Sequence, residues 1–161
     1  MTLIKPMKRA LEIVRMFNGL EREQLRFFLK KEYHNRYGDI DRLLRTRLIY
    51  EEDERIYIPD MEVAPSICEA VRILQIFWSK NLVDYYKGKS PVLAVYVKQT
   101  KNELRKFHIC TDENVSDLRV SDDNAAVIVI TDNRQLQCPH LRNYYLAVLE
   151  NGKYNFYKKE W

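Results

Sequence analysis

The chain has 161 residues, of which 46% are hydrophobic and 31% charged, and a formal net charge of +4. That is room for one domain of ~100–150 residues or two small ones, and it is too apolar for a disordered chain. Four glycines and five prolines exclude collagen-like sequence, and no apolar run reaches the ~18 residues that a membrane span needs.

The opening Met1-Thr2-Leu3-Ile4-Lys5-Pro6 is followed by charges every few positions, so no signal core is expected. Cys68, Cys110 and Cys138 are odd in number and lack paired spacing, which argues against a disulfide framework and for a cytoplasmic chain. Charge is spread unevenly. Residues 1–47 hold twelve Lys or Arg against six Asp or Glu, a balance of +6, whereas residues 48–60 carry −4 and the remainder +2. A basic excess crowded into the first 47 residues is the footprint of a polyanion-binding element.

In chain order, Lys5 to Phe17 reads as a helix. Met7, Ala10, Leu11, Val14 and Phe17 recur at helical spacing, Pro6 suits the first turn, and Asn18-Gly19 is a stop. A second helix runs from Glu21 to about Lys31 on Leu25, Phe28 and Leu29. Glu32 to Gly38 reads as a turn, after which Asp39 caps a short third helix, Ile40 to Arg47, with Leu43 and Leu44 inward. Leu48-Ile49-Tyr50 and Ile56-Tyr57-Ile58 are β-prone triplets flanking an acidic tip, a hairpin that Pro59 ends.

Met61 to Pro65 reads as a joint between a domain of residues 1–60 and one of residues 61–161. Ile67, Ala70, Val71, Leu74, Phe77, Trp78, Leu82 and Tyr85 then describe a long amphipathic helix over 66–86. Strands follow at Val92 to Val97, Arg105 to Thr111 and Ala125 to Ile130, the last apolar enough to be covered on both faces. Tyr144 to Leu149 and Tyr154 to Tyr157, joined by Asn151-Gly152, spell a hairpin with a type I′ turn. A helix over Leu141 to Leu149 is the competing reading.

The order helix, helix, turn, helix, hairpin in the first 60 residues resembles a winged helix-turn-helix domain. Glu21 to Leu29, Asp39 to Arg47 and the run Asp41-Arg42-Leu43-Leu44-Arg45-Thr46-Arg47-Leu48-Ile49-Tyr50 carry the resemblance. It implies that the third helix enters the major groove of double-stranded DNA. Arg42, Arg45 and Thr46 then face base edges or phosphate, and Lys30, Lys31, Arg36 and Arg47 lie on or near the backbone. Against it stand an Asp41–Arg45 spacing suited to a plain surface ion pair and the acidic tip Glu51, Glu52, Asp53 and Glu54, which phosphate would repel. Winged helices also serve as protein-contact modules, so a non-DNA interaction role is the rival reading.

The second half reads as a small α/β unit with a mixed sheet, making the whole chain α+β. Its element order resembles a stripped-down restriction-endonuclease-like fold, as follows a winged helix in some plasmid and mobile-element replication proteins. Such nucleases need carboxylates to hold Mg²⁺ and an acid-x-Lys on a strand. Ala125 to Ile130 has no Glu-x-Lys, and Asp112, Glu113, Asp122 and Asp123 read as loop acids, so at most a degenerate nuclease is expected. His108-Ile109-Cys110 and Cys138-Pro139-His140 place His and Cys two apart, but without a Cys-x-x-Cys knuckle they read as buried thiols and ordinary histidines. No Gly-rich phosphate loop or Gly-x-Ser-x-Gly elbow is present. The expectation is no catalytic residue, no metal centre and no cofactor. Tyr144, Tyr145, Tyr154, Phe156, Tyr157 and Trp161 crowd the C-terminus and suggest a homodimer through this sheet, or packing on the long helix. The sum is a DNA-binding regulator of transcription or replication, with a C-terminal dimerisation or partner-binding domain.

Overall fold

In the computed structural model, which describes residues 2–33, 38–59, 65–120 and 125–160, helix α1 (Lys5–Phe17) forms on the expected apolar spacing. It buries Met7, Ala10, Leu11, Ile13, Val14 and Phe17. Asn18 and Gly19 end it in left-handed backbone (φ 56° and 112°), and the Gly19 N–H reaches back to Val14 O at 2.9 Å. There follow β1 (Leu20–Glu21), α2 (Arg22–Tyr33), α3 (Gly38–Arg45), β2 (Tyr50–Glu52), β3 (Arg55–Tyr57) and α4 (Pro65–Ile76).

Helix α1 is the hub of this part of the chain, packing on α2, α3 and β3. Phe17 stacks on Phe28 with centroids 6.3 Å apart, and Leu25, Leu29, Ile40 and Leu43 are buried with them. The three short strands form an antiparallel sheet in the order β1-β3-β2, with Leu20 opposite Ile56 and Tyr50 opposite Tyr57. Asp53 and Glu54 turn the hairpin, both in left-handed backbone (φ 52° and 64°) as a two-residue type I′ loop requires.

Two expectations are corrected here. The helix expected over 66–86 ends at Ile76, and Leu82–Lys87 forms a strand, β4. The apolar residues from Phe77 on fit a helical period, but Leu82, Tyr85 and Tyr86 are also β-prone, and pairing of Tyr85 with Tyr96 and Tyr86 with Val95 decides the outcome. A turn in which Leu82 N–H donates to Ser79 O (3.1 Å) separates the two elements. The chain divides into units Met1–Gln75 and Ile76–Trp161, so nearly all of α4 belongs with the first unit, and the break falls later than residue 60. Of the joint expected at Met61 to Pro65, residues 61–64 lie outside the described residues, and Pro65 begins α4.

The second unit is one mixed six-stranded sheet in sequential order: β4, β5 (Ala94–Thr100), β6 (Glu103–Thr111), β7 (Ala125–Thr131), β8 (Asn143–Glu150) and β9 (Lys153–Glu160). Pairs β6/β7 and β7/β8 are parallel and the rest antiparallel. Asn151 (φ 52°) and Gly152 (φ 79°) make the expected turn between β8 and β9, so the helix over Leu141 to Leu149 is not formed. Val95, Val97, Cys110, Val127, Val129, Tyr144, Leu146 and Val148 make one apolar layer, covered by Val115, Leu118, Cys138 and Leu141 from the two crossovers. On the opposite side Tyr96 stacks between Phe77 (5.6 Å) and Phe107 (4.6 Å), and Phe156 meets Phe77 edge-on at 4.7 Å.

Among the described residues no helix is long and apolar enough to cross a membrane.

Candidate nucleic-acid interface

Helix α3 is short, and its burial splits its surface. Ile40 and Leu43 are buried in the first unit, while Asp41, Arg42 and Arg45 are exposed. Arg42 and Arg45 stand three apart and so share one side of the helix. The Arg42 side chain is 61% exposed and pairs at 3.7 Å with Asp39, itself buried in the first turn of α3. Arg45 has no ion pair among the described residues. Arg47 is exposed just past the helix in left-handed backbone (φ 63°).

Thr46 is placed differently from the expectation. Its hydroxyl donates to Leu43 O at 2.6 Å and accepts from the Leu48 N–H at 3.2 Å. Those bonds satisfy the free end of α3 and steer the chain into β2, so the side chain serves the turn.

Arg22, which the sequence did not single out, organises the acids around α3. Its guanidinium donates to Asp41 Oδ1 on α3 and to Glu51 Oε2 on β2, the latter at 2.9 Å. These bonds raise the Arg22 pKa and hold the Asp41 carboxyl below its usual range. Asp41 thus pairs with Arg22 rather than with Arg45 as its spacing had suggested. Partly exposed pairs of this sort contribute ~0.2–1 kcal/mol each, so their role is orientation more than stability. A one-residue link between α3 and the hairpin has no periodic signature, which is why sequence reading passed over it.

Lys30 and Lys31 lie in the last turn of α2, and both are exposed. Lys30 borders a shallow hollow with Glu23, Arg26, Phe27 and Gln75, and the Lys31 ammonium lies 5.5 Å from the Phe27 ring centroid. Arg36 lies outside the described residues, as do Asp122 and Asp123. At the hairpin tip Glu52, Asp53 and Glu54 are exposed, beside exposed Leu48 and Tyr50.

The other sites weighed from sequence are also placed. Asp112 accepts from Thr131 Oγ1 at 2.7 Å. Cys110 and Cys138 sit in the core of the second unit, where burial pushes the Cys110 thiol up to about 12 and raises Cys138. His140 Nε2 lies 2.8 Å from Val115 O, so that nitrogen donates and ties the two crossovers together. Among the described residues no three His, Cys, Asp or Glu side chains converge as metal ligands would.

No family model matches the chain, and comparison with curated proteins and with solved structures returns no match.

Proposed function

We propose that this protein binds double-stranded DNA through α3 and acts in the cytoplasm as a regulator of transcription or replication. The first unit is read as a winged helix-turn-helix, on the order α1-β1-α2-α3-β2-β3 and the sheet order β1-β3-β2. The observation that carries the reading is the pair Arg42 and Arg45, exposed on one side of α3 while Ile40 and Leu43 anchor its other side. A helix so held can enter a major groove, where Arg pairs with guanine edges or phosphate. Arg47, Lys30 and Lys31 add sequence-independent attraction. Arg22 supports the same reading, because it neutralises two acids of this surface, Asp41 on α3 and Glu51 on β2.

The test is fluorescence anisotropy of the full chain with mixed-sequence duplex DNA at ~50 and ~200 mM salt, beside an Arg42→Ala/Arg45→Ala variant. Affinity that falls steeply with salt and drops at least about tenfold in the variant is expected. Absence of binding at the lower salt overturns the reading.

A second reading, a protein-contact module of the same shape, is favoured by the exposed Leu48 and Tyr50 beside three exposed acids at the hairpin tip. Pairing of two copies through the second unit remains part of the first reading. Its support is β9, an edge strand with a single neighbour in the sheet.

A further inference from the structure

The second unit carries a cleft of about 460 Å³ that the DNA reading does not use. Three separate segments line it: Lys89 to Val92 between β4 and β5, Lys106 and His108 on β6, and Asp117 to Val120 on the crossover to β7. Lys106 and His108 are two apart on a strand and so share one face. Pro91, Val92, Leu118 and Val120 give the cleft an apolar wall.

Its charge is one-sided. Lys89, Lys106 and Arg119 face a single carboxylate, Asp117. Among the described residues neither Lys89 nor Lys106 has an ion-pair partner. Arg119 is held in place, with Nη1 donating to Ser116 O (2.7 Å) and Leu118 O (2.9 Å), which leaves the rest of its donor fork unspent. Three cations gathered at one concavity repel one another, and an anion seated between them removes that cost. One carboxylate among three cations is no cage for a divalent metal, which wants several oxygen ligands.

We propose that this cleft binds a phosphate monoester of mononucleotide size. Phosphate fits better than carboxylate because its oxygens point in several directions, matching two point-charge lysines and a guanidinium that come from three segments. The volume is in the range of small-ligand sites, ~300–1,000 Å³, and the apolar wall provides a place for a base or sugar. A free nucleotide and the 5′-phosphate end of a nucleic-acid strand share this chemistry. The site involves none of the α3 residues and goes beyond the DNA reading.

Isothermal titration calorimetry on the full chain tests it. The Arg42→Ala/Arg45→Ala background is used throughout, so that α3 cannot supply the signal. The probes are adenosine 5′-monophosphate against adenosine, and a 5′-phosphorylated single-stranded hexanucleotide against its unphosphorylated twin. Each phosphorylated probe is expected to bind at least about tenfold tighter than its twin, and Lys89→Gln/Lys106→Gln to remove that preference, with Lys89→Arg/Lys106→Arg retaining it. Tighter binding of the mononucleotide assigns the site to free nucleotides, and tighter binding of the hexanucleotide to strand ends. Equal binding of phosphorylated and unphosphorylated probes overturns the proposal, as does a Gln variant, folded by circular dichroism, that binds like its parent.

Discussion

Gln24 is 2% exposed in the first unit, and its amide is spent in two directions. Oε1 accepts from the Glu21 N–H at 3.0 Å, and Nε2 donates to Cys68 O at 2.6 Å, tying α2 to β1 on one side and to α4 on the other. In Gln24→Leu the Glu21 N–H loses its acceptor in a partly buried place, at the low end of the ~1–3 kcal/mol cost of an unmet donor. The bond to Cys68 O is worth about 1 kcal/mol net, and that carbonyl keeps a second lone pair for its own helix. Leucine regains some free energy through added apolar burial, which leaves a net loss of about 1–2 kcal/mol. With a urea slope near ~2 kcal/mol/M, the midpoint falls by about 0.5–1 M. Ellipticity at 222 nm is the assay, since the α-helices among the described residues belong to this unit apart from the last residue of α4. Arg72→Ala is the control. It removes an exposed 2.8 Å pair with Glu21 and is expected to cost under ~0.5 kcal/mol. A Gln24→Leu midpoint equal to or above that of the control refutes the reasoning.

Two further predictions concern the second unit. A Cβ at Gly88 would lie 2.3 Å from Val92 Cγ1 and 2.9 Å from Val92 O, so Gly88→Ala forces the β4–β5 connection apart. The cost of such overpacking is ~1–3 kcal/mol, or a fall in Tm of roughly 5–15 °C followed by Trp emission, and adding Val92→Ala recovers part of it. No fall refutes the close approach. Burial pushes the Cys110 thiol up to about 12, with Cys138 and Asp112 adding to it, against about 8.5 in an unfolded chain. Because the folded value is the higher one, this contribution is complete below pH ~8.5 and is lost as pH climbs from there toward the folded value. Urea midpoints between pH 8 and 10.5 are therefore expected to decline less steeply in Cys110→Ala than in the parent, whatever the variant's baseline. Equal slopes count against a buried, proton-holding thiol.

The elements that sequence reading located are those whose signal is local. Helix α1 has five apolar positions at helical spacing and an Asn-Gly stop, and both its bounds were legible. The β8–β9 turn was legible from Asn151-Gly152, since few other dipeptides take two consecutive left-handed residues without strain. The β2–β3 turn uses Asp53 and Glu54 instead, so only the flanking triplets revealed that hairpin. Strand β1, two residues long, offers no period to read and exists only through its pairing with β3. The end of α4 was missed because residues 66–86 contain neither Gly nor Pro, and the rule that stops the helix is a pairing made with β5. Arg42 and Arg45 were legible as an exposed pair from their spacing against Leu43. Arg22 and the cleft cations were not, since each acts with partners distant in sequence.

The cleft follows from how the second unit makes parallel pairs with no α-helix in the crossovers among the described residues. Strands β6, β7 and β8 are neighbours in chain order and all parallel, so both connections advance across the sheet in the same direction. Right-handed crossovers that advance the same way pass over the same face. The burial bears this out, because Val115 and Leu118 of the first connection join Cys138 and Leu141 of the second over one layer of strand residues. Where most α/β units would lay a helix there, this chain lays a 3₁₀ turn, Val115–Asp117, and irregular backbone. Toward the β4–β5 connection, Lys106 and His108 of β6 line a concavity together with Arg119 of the crossover and Lys89. The concavity is thus a consequence of topology, whereas its charge is not. A crossover needs only its apolar anchors, Val115 and Leu118, to hold the sheet, and nothing in that requirement calls for three cations around the opening. The charge is therefore the part of the cleft that packing does not explain and that an anionic ligand does.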